Sequence, residues 1–73
     1  MTPEARVRGR VKFFNAAKGW GFLLNPYEGG ADLFVHHEHI RMPGYRTLEE
    51  AQLVEFVVVE TPKGPAARAV GPL

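Results

Sequence analysis

Seventy-three residues with a net charge of +1, nine basic against eight acidic side chains and no cysteine leave room for one small fold and for no disulfide or thiolate metal site. A chain this short buries only about 60% of the surface its unfolded form exposes, so aliphatic residues are needed inside and an exposed ring calls for a reason. The longest apolar stretch, Phe56 to Val59, is far too short to cross a bilayer, and charged Met1 to Arg10 has no leader-like apolar run; no membrane partner is expected, and a reducing, cytoplasmic setting fits.

The expected organisation is one domain over residues 1–73, with a short arm at 1–6. Val7 to Asn15 alternates Arg8, Arg10 and Lys12 with Val7, Val11 and Phe13, which predicts a first strand; Phe14 directly after Phe13 breaks the alternation and marks a bulge or a twist there. After a turn through Ala16 to Lys18, a second strand from Gly19 to Leu24 has Gly19, Gly21 and Leu23 as its core face. Asn25-Pro26-Tyr27-Glu28-Gly29-Gly30 is a strong turn signal before a third strand, Asp32 to His36. One helical turn follows around Glu38 to Ile40, then a long loop over 41–52 containing Pro43-Gly44. A fourth strand, Leu53 to Thr61, turns through Pro62 to Pro65 into a fifth, Ala66 to Val70, giving an all-β chain.

Side chains alternate faces along a strand. Trp20 and Phe22 therefore share one face, and Asp32, Phe34 and His36 share another whose reverse carries aliphatic Leu33 and Val35. The face with Asp32 and His36 is the solvent side, so rings are presented to water, where unpaired nucleobases would stack. Charge is uneven: Arg6, Arg8, Arg10, Lys12 and Lys18 face only Glu4 in the first 18 residues, while carboxylates dominate the middle. A basic stripe leading into rings can follow a phosphate backbone.

Val11-Lys12-Phe13-Phe14-Asn15, Lys18-Gly19-Trp20-Gly21-Phe22, Asp32-Leu33-Phe34-Val35-His36, Tyr45-Arg46-Thr47-Leu48-Glu49-Glu50 and Lys63-Gly64-Pro65 together resemble the bacterial cold-shock proteins, in order and spacing, over about residues 8–70. The resemblance implies a five-stranded antiparallel barrel of the oligonucleotide-binding type. It also implies single-stranded RNA and single-stranded DNA binding, often with RNA-chaperone activity; a monomer with stress-response and transcription-regulating roles is expected. The base-stacking residues it implies are Phe13, Trp20, Phe22, Phe34, His36, His37 and Tyr45, with Phe14 partly buried beside them. Lys12, Lys18 and Lys63 match basic positions, and Asp32 would orient an imidazole or a base amino group. Phe13 stands where the family usually has tryptophan, and His37 where it usually has phenylalanine, which adds a pH-sensitive ring. Ala51 replaces a frequent glycine, and Ala69 a common asparagine.

Other chemistries fit less well. His36-His37-Glu38-His39 invites a zinc reading, yet His36 and His37 converge only if the strand ends between them, and the spacing is not the helical His-Glu-x-x-His pattern. No metal or cofactor is expected. The chain has neither serine nor cysteine and no phosphate-cradling glycine loop, so no enzyme is expected. The alternative from another class is a small barrel that docks a protein through the same rings.

Overall fold

The computed structural model describes residues 6–42, 44 and 47–73. Five strands close into a barrel in the order β1-β2-β3-β5-β4: β1 (Val7–Asn15), β2 (Trp20–Leu23), β3 (Leu33–His36), β4 (Leu53–Thr61) and β5 (Gly64–Pro72). Four seams are antiparallel, and the fifth, β3 with β5, is parallel. That parallel seam is short. Phe34 pairs with Ala66, and among the described residues one further bridge joins Ile40 to Val70.

Alternation builds the interior. Val11, Leu23, Leu33, Val35, Val54, Phe56 and Val70 are fully buried, and Ile40 and Leu48 close the core from the connections. Among the described residues, no charged side chain enters this core. Burying a side chain such as Phe56 contributes about 1.5–3 kcal/mol, which is how so short a chain holds its fold with rings left at the surface.

Two irregularities steer side chains. In β1, Val11 pairs with Leu23 but Phe13 with Phe22, so the extra residue is Lys12. The bulge thus lies one residue before the Phe13-Phe14 position expected from the sequence. Strict alternation would have buried Phe13 with Val11; the bulge turns Phe13 outward and lets Phe14 pack against the core. In β5, the step from Glu55–Gly71 to Val57–Arg68 leaves one extra residue on β5, beside Ala69 at φ 53°. Ala51, just before β4, is also left-handed at φ 66°. These are the two alanines noted in the sequence as standing where glycine and asparagine are common, and both occupy backbone that those residues tolerate best.

The fifth strand is longer than the expected Ala66 to Val70. Gly64 and Pro65 read as a turn, but the turn is confined to Pro62 and Lys63, and Gly64 and Pro65 already pair with Thr61 and Glu60. The Thr61 hydroxyl donates to the Gly64 carbonyl at 2.7 Å and accepts from Lys63 N–H at 3.2 Å, which clamps the hairpin.

Candidate nucleic-acid interface

The register of the first three strands assembles the rings. Trp20 lies opposite His36, Phe22 opposite Phe34, and Phe13 opposite Phe22. Phe13, Trp20, Phe22 and Phe34 form one continuous patch, with neighbouring centroids 5.8–6.2 Å apart. Phe13 and Phe34 are each 40% exposed, and Trp20 and Phe22 are half-buried by their neighbours. The reverse face holds Gly21, Leu23, Leu33 and Val35 in the core. Gly21 is required there, because a Cβ would overlap the Phe13 carbonyl and the Phe14 backbone.

His36 ends β3, and the chain enters a 3-10 turn at His37–His39. Because the strand stops between them, His36 and His37 do converge, with ring centroids 4.4 Å apart. His36 Nδ1 accepts from the Glu38 N–H at 3.3 Å, which fixes the ring and leaves Nε2 as its donor. His37 N–H donates to the Gly19 carbonyl at 2.8 Å, and its ring lies over Gly19, where a Cβ would stand 2.5 Å from His37 Cδ2. Among the described residues, no group of three or more His, Asp or Glu side chains is arranged to hold a metal ion.

The charges are placed differently from the sequence expectation. Arg6 donates to the Glu55 carboxylate at 2.7 Å, Arg8 lies 3.6 Å from it, and Arg10 donates to the Ala51 carbonyl. The basic leading stripe is therefore largely engaged by its own barrel. Lys12 Nζ sits 2.7 Å from the Asp32 carboxylate across the sheet, so in the free protein Asp32 is engaged by a lysine. Lys18 is exposed in the β1–β2 turn, where its N–H donates to Asn15 Oδ1, and Lys63 is exposed in the β4–β5 turn. Tyr45 lies outside the described residues.

Beside the rings, a cleft of about 540 Å³ opens along the sparse β3–β5 seam, lined by Phe22, Phe34, His36, His39, Lys63 and Arg68. Sequence reading missed His39 and Arg68 as neighbours of the rings. The one available signal was that Arg68 is the only charge in residues 64–73. Burial first, and then the nearby Arg68 guanidinium, push the His39 imidazole below its ordinary value.

A closed five-stranded barrel with this strand order, carrying its rings outward on the first three strands, is an oligonucleotide-binding-type barrel. The "cold-shock" DNA-binding domain matches residues 7–73. The chain is 56% identical over 63 residues to the probable cold shock protein A of Mycolicibacterium smegmatis, covering 86% of this chain and 92% of that protein. It is 50% identical over 64 residues to the cold shock-like protein CspC of Bacillus cereus, covering 88% and 95%. It is 53% identical over 62 residues to the cold shock-like protein CspA of Stigmatella aurantiaca, covering 85% and 90%. The protein belongs to the cold-shock domain family.

Proposed function

We propose that this protein binds single-stranded RNA and DNA by stacking unpaired bases on Phe13, Trp20, Phe22 and Phe34, with His36 and His37 extending the row. The observation that carries this reading is the four-ring patch left partly in water on the outer face of strands whose inner face carries only Gly21, Leu23, Leu33 and Val35. Exposed rings on one sheet face match what bases require, since every base has a π-face and each stacked base is worth about 1–3 kcal/mol. Lys18 and Lys63, and Lys12 at the edge of the patch, flank the row as phosphate contacts.

The footprint is about six or seven nucleotides, within the usual range for one barrel of this type. With about three phosphates neutralised, log affinity falls with log salt at a slope near −2, so stacking carries most of the energy. A monomer that holds bases unpaired biases RNA hairpins toward the open form by mass action, which is an RNA-chaperone activity needing neither ATP nor catalysis. In a cell this acts on transcription and translation in the cytoplasm. Among the described residues no helix is long and apolar enough to cross a membrane.

Titration of Trp20 fluorescence with oligothymidine at two salt concentrations tests the reading. Saturable quenching near one oligomer per chain is the expected result. A folded protein whose fluorescence does not respond would instead leave the rings as a surface for docking another protein.

A further inference from the structure

We infer that Arg68 and His39 form a phosphate subsite on the β5 side of the cleft, where a nucleic-acid strand leaves the aromatic patch past Phe34 and His36 and enters the β3–β5 seam. The inference rests on the single-strand reading above and extends it to residues outside the ring platform. Three observations carry it. The cleft is continuous with the patch, because Phe22, Phe34 and His36 line both. Its volume of about 540 Å³ suits a nucleotide-sized group. Its far wall presents Arg68, which is exposed and has no carboxylate within ion-pair distance among the described residues, unlike Arg6, Arg8 and Lys12. A guanidinium in this position offers two parallel N–H donors to a phosphate.

His39 supplies a second, titratable donor. The groups around it are Arg68 from β5, Glu38 and His36 from its own turn, and Arg41, which lines a small neighbouring hollow with Glu38, His39 and Ala69. Arg68 disfavours protonation of His39 in the free protein. A phosphate seated between them would offset the Arg68 part of that shift, so binding favours the protonated His39 and affinity rises as pH falls into the range where imidazoles protonate.

The test compares oligothymidines of about four and about ten nucleotides, the shorter covering the rings alone and the longer reaching the seam. Arg68→Ala is expected to weaken the longer oligomer about threefold to tenfold, to make its salt slope shallower by about 0.7, and to leave the shorter one unchanged. Arg68→Lys should restore the salt slope, and His39→Gln should reduce the acid-side gain in affinity for the longer oligomer. Phe34→Ala is the control for the platform and should weaken both lengths. If Phe34→Ala weakens both and Arg68→Ala changes neither, or changes both equally, the subsite is overturned while the platform stands. If neither oligomer binds the parent protein, both readings fall. Arg68 points to solvent, so its variants should melt with the parent protein; a matched melting temperature ties any binding loss to the cleft.

Discussion

Lys12 and Asp32 meet at 2.7 Å across the outer face of the sheet, at the bulge that turns Phe13 outward. Both side chains are substantially exposed, so the pair contributes less than about 1 kcal/mol to stability. Its effect is on binding. Lys12→Ala leaves Asp32 as an unpaired carboxylate beside the rings, where it repels phosphate. Lys12→Ala should therefore weaken oligothymidine binding more than the double variant Lys12→Ala/Asp32→Asn does, with all melting temperatures close together. Equal affinities for the single and double variants would show that the unpaired Asp32 carboxylate does not oppose binding.

The barrel separates a stacking ring from a folding ring. Phe34 is 40% exposed, whereas Phe56 is wholly buried. Phe34→Ala should cost about 1–3 kcal/mol of binding and little stability. Phe56→Ala should cost about 3–5 kcal/mol of stability, enough to unfold much of a marginal chain. Urea denaturation together with fluorescence titration checks both, and a Phe34 variant that loses stability in proportion to its binding would contradict the assignment.

Ala51 and Ala69 hold left-handed backbone at φ 66° and 53°. A Cβ costs roughly 1–2 kcal/mol there, and glycine returns part of that as unfolded-chain entropy. Ala51→Gly should stabilise the fold by about 1 kcal/mol and raise the melting temperature by about 4–8 °C in a domain of this size. Ala69→Asn should act in the same direction by a smaller amount. Calorimetry reads both, and a lowered melting temperature would mean that the methyl groups make contacts that outweigh the strain.

Glu55 is the acid-sensitive joint of the barrel. The Arg6 hydrogen bond, with Arg8 nearby, holds its carboxyl below the ordinary carboxylate range. A depressed folded-state value means that the unfolded chain binds the proton first. The stabilisation is complete above the ordinary range and is lost as pH falls through it toward the lower folded value. Urea midpoints measured against pH should decline more steeply on the acid side for the parent than for Glu55→Gln, with the two curves converging at the acid end. Added salt should narrow their difference at neutral pH.

Much of this was legible in the residues, because strand alternation separates Leu33 and Val35 from Phe34 and His36 without any tertiary knowledge. The bounds of β1 and β4 followed from the same period. Phe13 was harder. Its outward turn depends on a bulge at Lys12, and periodicity alone grouped it with Val11. The arginines were misplaced because Glu55 lies 49 positions from Arg6 and reaches it only through the β1–β4 pairing. Arg68 and His39 escaped notice for a related reason: their cleft exists where β3 meets β5 in parallel, and no local pattern in either segment announces which strand will lie beside it.

That sparse junction has a consequence for how the molecule comes apart. A sheet with a greasy, hydrated surface would recruit foreign strands along any bare border, and ring closure removes the border. The closure is thinnest where Phe34 faces Ala66, so amide hydrogens along that line should exchange before those of β1 and β4. Self-association on heating should then begin with the parting of this one junction, while the rest of the cylinder is still intact.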